Sequence, residues 1–159
     1  MKKILFTFLL VFVGQVIYAQ DLNNLMDELA KVESAQKQVV DKAMLAQAMN
    51  DEDEDDKMPG FMSKADSVIA VIVRSCPQDI SEKISAGINS SEKSGQYETL
   101  ISLKKEDKII SMLSEKREAD TDIYVYVASG DNIVFVKIKG QFTAEDLQNM
   151  VKEQMEGVN

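Results

Sequence analysis

Gly130 and Asp131 separate two runs of alternating β-forming residues, and this arrangement constrains the fold more than any other feature of the chain. A two-residue loop with Gly first suits a type II′ turn, whose backbone twist matches that of the antiparallel strands it joins. Closing the hairpin there pairs Val127 with Val134, Val125 with Val136 and Ile123 with Ile138. Directly opposed residues share a face, so these six side chains form one apolar surface. The other surface carries Ala128 opposite Ile133, Tyr126 opposite Phe135, and Tyr124 opposite Lys137.

The segments around the hairpin supply candidate layers. Leu22, Leu25, Met26, Leu29 and Val32 recur at helical spacing and predict an amphipathic helix. Residues 33–49 fork: either that helix continues through Gln36, Val40 and Ala43, or Ala35–Val40 is a short strand and Asp41 caps a new helix carrying Met44 and Leu45. Ser67–Ser75 is rich in β-branched residues and reads as a buried strand. Pro77–Ser91 follows as a helix with Ile80, Ile84 and Ile88 in a stripe. From Tyr97 the period changes to two, with strands over Tyr97–Leu103 and Lys108–Lys116 joined at Lys104–Asp107. Near the end, Thr143 caps a helix, Asp146 stands three residues on as in a capping box, and Phe142 can staple onto Leu147. The expected fold is a single α+β domain over residues 20–159. It has an antiparallel-rich sheet of about five to six strands packed against helices in two layers.

The start of the chain carries an address. Lys2 and Lys3, an apolar run from Ile4 to Val13 and the small residue Ala19 make the layout of a secretory signal peptide over residues 1–19. The apolar run is well short of the roughly twenty residues that span a bilayer. Gln20, not cysteine, stands directly after Ala19, so the expectation is an exported periplasmic or secreted protein, not a lipoprotein, with no membrane insertion once the leader is removed.

Composition removes several kinds of chemistry. The chain has 18 basic and 27 acidic residues, a net charge of −9, and without Lys2 and Lys3 the balance is 16 against 27, or −11. A field of that sign repels nucleic acid and anionic membrane surfaces. Histidine is absent, so neither a Ser-His-Asp nor a Cys-His arrangement can be assembled. There is no Gly-rich phosphate loop, and no cofactor is expected.

Three groups of residues remain as candidates. The aromatic face of the hairpin, Tyr124, Tyr126, Ile133 and Phe135 edged by Lys137, is a candidate binding surface, because Tyr and Phe are enriched at interfaces. The competing reading is that the N-terminal helix covers this face with Leu25 and Leu29, and burial of Tyr126 and Phe135 separates the two. Cys76, the single cysteine, is either a buried structural thiol or, at the start of a helix, a reactive thiolate. Asp120 and Asp122 are candidate acid and base, set against a reading as plain solvated charges.

The run Asp51-Glu52-Asp53-Glu54-Asp55-Asp56 lies within an expected acidic loop at 50–60. It opens like a calcium loop, but Asp56 occupies the position of the turn Gly and Met62 that of the bidentate Glu. Six consecutive carboxylates read as a solvated loop, with loose cation binding or docking on a basic partner as the functional alternatives.

Val39-Val40-Asp41-Lys42-Ala43-Met44-Leu45, Tyr97-Glu98-Thr99-Leu100, and Ile133–Gly140 with Phe142-Thr143 and Asp146-Leu147 together resemble the exported Bacteroidota proteins grouped as domain of unknown function 4252. The resemblance implies the strand reading of Ala35–Val40 and carries no activity. The expected function is a non-catalytic binding or interaction module of the bacterial envelope, with an envelope protein as its partner. The alternatives are an envelope enzyme or thiol-reactive protein using Cys76, and a cation-responsive or basic-partner docking protein using residues 51–56.

Overall fold

The computed structural model describes residues 21–50 and 60–156. The expected signal peptide and the acidic run Asp51–Asp56 both lie outside the described residues.

The described chain folds as α1 (Leu22–Ala30), β1 (Ala35–Asp41), α2 (Lys42–Asn50), a 3-10 turn (Gly60–Lys64), β2 (Ala65–Val73), α3 (Gln78–Lys93), β3 (Glu98–Lys105), β4 (Lys108–Lys116), β5 (Thr121–Ser129), β6 (Asn132–Gly140) and α4 (Ala144–Glu156). The six strands form one sheet in the order β1-β2-β6-β5-β4-β3. Every neighbouring pair is antiparallel. This is an α+β fold.

The β5–β6 register is the one read from the turn: Val127 faces Val134, Val125 faces Val136, Tyr126 faces Phe135 and Ala128 faces Ile133. Gly130 has φ 59°, the left-handed conformation that the first position of a type II′ turn demands and that Gly adopts without steric cost. The fork at 33–49 resolves as strand then helix. Asp41 ends β1 and its Oδ1 accepts the Met44 N–H at 2.9 Å, capping α2.

The helices are distributed over both sides of the sheet, adding a layer to the two expected. Leu22, Leu25, Met26 and Leu29 of α1, with Ile84 and Ile88 of α3, share one core with Val71, Val73, Leu113, Tyr124, Tyr126, Ile133 and Phe135. Each such aliphatic side chain contributes about 2 kcal/mol by leaving water. Gly87 permits the close approach of α3 to α1, because a Cβ there would stand 2.5 Å from a Leu25 methyl. On the opposite face a smaller core joins Leu45 of α2, Phe142 and Met150 of α4 to Met112, Ile123 and Ile138.

The two ends of α4 differ. At the start, Thr143 Oγ1 accepts the Asp146 N–H at 3.2 Å and Asp146 Oδ2 accepts the Thr143 N–H at 2.8 Å, a reciprocal capping box. Lys64 Nζ adds a bond of 2.7 Å to the same carboxylate and ties the helix to the 3-10 turn. At the other end Met155 is 52% exposed.

Candidate binding face

The aromatic face of the hairpin is core. Tyr126 is 1% exposed and Phe135 0%, with Tyr124 and Ile133 equally buried beneath α1 and α3. The rings interlock edge to face, Tyr126 with Phe135 at 5.7 Å and Tyr97 with Tyr124 at 5.9 Å between centroids. Tyr126 Oη and Ser85 Oγ are 3.1 Å apart and share a hydrogen bond. Lys137 donates to Asn23 Oδ1 at 2.8 Å and lies 5.7 Å from the Tyr124 ring centre, so it is spent on the fold. Reading Tyr124, Tyr126, Ile133, Phe135 and Lys137 as an open binding face is therefore corrected. Large rings remove more apolar surface from water than valines do, and the two strongly amphipathic helices pack over them.

Cys76 belongs to the same core and is 5% exposed. Burial, with Asp79 and Asp131 nearby, pushes its thiol above the ordinary range, opposite to the shift a reactive thiolate requires.

Asp120 and Asp122 do not converge on a cleft. Asp120 pairs with Lys139 at 3.8 Å. The Asp122 side chain is 2% exposed and is held by Arg117 Nε at 3.0 Å and Lys137 Nζ at 3.8 Å. Among the described residues no group of three or more acidic or cysteine side chains is placed to hold a metal ion.

What remains open is the valine face. The ladder aligns Ile72, Val134, Val127, Ile110 and Leu103 in one row across five strands. A second row, Ala70, Val136, Val125, Met112 and Ile101, lies beside it. Most of these side chains are only half-buried, and Leu103 is 36% exposed. The third row, with Val68, Ile138 and Ile123, lies beneath Leu45, Phe142, Leu147 and Met150, and the second row packs along the edge of the same cluster, where Met112 is buried. Between the open rows and the C-terminal turn of α4 lies a cleft of about 280 Å³, floored by Ile101, Leu103, Ile110, Met112, Val125 and Val127 and walled by Gln154 and Met155.

A family model described as a domain of unknown function (DUF4252) matches residues 30–150. The chain belongs to the DUF4252 family. No curated protein and no solved structure matches it. The DUF4252 match runs from the end of α1 through Met150 of α4, so it contains the whole sheet and the first half of α4, while Gln154 and Met155, which wall the cleft, lie beyond it.

Sequence reasoning placed the valines of this DUF4252 domain on one face but did not identify that face as the open one. The signal was available in the helices. Leu22–Ala30 and Gln78–Lys93 carry strong stripes of large residues, whereas α2 is built on Ala43, Ala46 and Ala48 and buries Leu45. The second face thus has little more than one apolar helix to cover it.

Proposed function

We propose that this chain is a non-catalytic binding module whose binding surface is the valine face and the cleft beside α4. The observation that carries the reading is the half-buried aliphatic row Ile72, Val134, Val127, Ile110 and Leu103, which crosses five strands and enters the cleft beside α4. A concave, mostly apolar cleft with a single polar side chain in its lining is the usual form of a small-ligand binding site. Its lining of aliphatic and thioether groups, with Gln154 as the polar exception, offers nothing for acid–base or nucleophilic work. That supports binding over catalysis.

The test is titration with the neutral apolar dye Nile red. The wild-type chain is expected to bind it with a fluorescence gain, and Val127→Asp and Leu103→Asp to abolish the gain while keeping a cooperative thermal transition. Leu103 is on an edge strand and partly exposed, so its variant keeps the test sound if Val127→Asp fails to fold. Dye binding that is absent, or unchanged in the folded variants, refutes the reading.

The setting proposed is the bacterial envelope, reached by export. It is supported by the Met1–Ala19 pattern of charge, apolar run and small residue. Fractionation of the native host with N-terminal sequencing should recover a chain starting at Gln20 outside the inner membrane; a cytoplasmic chain starting at Met1 would overturn it.

A further inference from the structure

We propose that the cleft takes a single-chain fatty carboxylate, with the acyl tail lying on the valine face under the C-terminal turn of α4 and the carboxylate at Lys105 and Lys108. The proposal rests on the binding role assigned to this face and gives it a ligand class.

The head site follows from register. Lys105 and Lys108 are the last opposed pair of the β3–β4 ladder, and the next pair on their face is Leu103 and Ile110, which floor the cleft. Two ammonium groups set directly opposite each other weaken a sheet. Both residues are exposed, and neither side chain has an ion pair or hydrogen bond among the described residues. The turn between them carries Glu106 and Asp107, but a Gly130 Cβ would lie 3.9 Å from the Asp107 carboxylate, which places it by the neighbouring turn. In a chain of net charge −9, acidic partners for these lysines are plentiful. An unpaired cation couple one same-face step beyond the floor of an apolar cleft is complementary to an anion carrying an apolar tail.

The tail site follows from dimensions. From Lys108 to Met112 along β4 is about 13 Å, the reach of an extended acyl chain of medium length. A cleft of about 280 Å³ is too small for a helix of about 10 Å diameter and lies just below the usual range for compact ligands. Met112 and Met155, on floor and wall, are flexible thioethers that adapt to a chain without a fixed shape. The floor presents no polar side chain, so recognition along the tail is by apolar contact and the charge is read at the lysines.

The test is displacement of Nile red from the full chain by dodecanoate, methyl dodecanoate and dodecyltrimethylammonium, each below its micellar concentration. Dodecanoate should displace the dye at up to about tenfold lower concentration than either comparator, as two exposed ion pairs provide. Shortening to decanoate should weaken it, each methylene being worth roughly a factor of four. Lys105→Gln with Lys108→Gln should erase the preference for the carboxylate while leaving dye affinity unchanged, and salt should weaken dodecanoate but not the dye. Equal displacement by acid and ester, or a preference that survives the double variant, refutes the head site while the apolar cleft stands. Dye that does not bind, or that binds regardless of Val127→Asp and Leu103→Asp, refutes the underlying binding role instead.

Discussion

Asp122 stands directly opposite Glu115 in the β4–β5 ladder, and Arg117 bridges the two carboxylates, its Nε 3.0 Å from Asp122 and an Nη 3.6 Å from Glu115. Like charges so opposed repel, and one Asp122 oxygen is buried without a hydrogen-bond partner among the described residues. Asp122 first, and then Glu115, holds the guanidinium firmly charged. Removing Arg117 leaves a buried carboxylate with Lys137 alone at 3.8 Å. Breaking a buried pair costs about 3–5 kcal/mol, but Arg117 is half exposed, so the expected loss for Arg117→Met is about 1–3 kcal/mol. Urea unfolding measures it, and Asp122→Asn in the same background should restore part of the loss. An unchanged midpoint would mean that Arg117 is not what compensates Asp122.

Gly87 is where α3 meets α1. An added Cβ would stand 2.5 and 2.8 Å from the two methyls of Leu25, a side chain that is itself fully buried and has little room to give. Alanine gains about 1 kcal/mol of helix propensity, while overpacking costs about 1–3 kcal/mol. The clash should win, with Gly87→Ala destabilising by about 1–2 kcal/mol. In a thermal or chemical double-mutant cycle, combining it with Leu25→Ala should cost less than the sum of the single changes, because the clash is then gone. Strict additivity would show that the two helices do not meet through this pair.

The two substitutions above act on contacts of different legibility. The strand pairings of β5 and β6 could be read directly, because a two-residue loop fixes the register and period-two alternation then fixes which side chains share a face. The cap at Thr143 and Asp146 is equally local. Which face the helices cover is not local: it depends on α1 and α3 crossing the same side of the sheet, and nothing in the Tyr124–Phe135 pattern announces that. The Asp41 boundary was ambiguous for the same reason, since β1 exists by pairing with β2 some thirty residues away. The bulge at Leu100, between Thr99 and Ile101, left no signal in the alternation. The candidate site was thus half legible: its residues were grouped correctly, and of the two readings of the aromatic face it is the one with α1 laid over it that holds, leaving exposure to the valine side.

Cys76 should behave as an inert thiol. Burial and the nearby carboxylates of Asp79 and Asp131 raise its pKa, so at neutral pH the thiolate fraction is smaller than that of a free cysteine, and the folded chain admits reagent poorly. Iodoacetamide labelling followed by mass spectrometry is expected to be at least about tenfold slower in buffer than in denaturing urea. The rate in buffer should track unfolding as temperature rises. Rapid labelling of the folded protein would return Cys76 to the list of reactive groups.

Asp146 couples the acid limit of stability to the cleft. The bond from Lys64, followed by the Thr143 N–H, holds its pKa at about 2, against 3.8 for an ordinary carboxylate. A lowered folded pKa means that the contribution is complete above about pH 3.8 and is lost as pH falls through about 2. Asp146→Asn should therefore lower the melting temperature at neutral pH, and the gap from wild type should narrow as pH falls from about 4 to about 2. A gap that stays constant over that window would show that the ionised carboxylate is not what anchors the helix. Since α4 carries Met155 over the cleft, loosening its first turn should also weaken Nile red binding at neutral pH. Lys64→Met, which removes the bond from the other side, should do the same, whereas Lys152→Met on the same helix, with no ion pair or hydrogen bond of its side chain among the described residues, should leave dye binding unchanged.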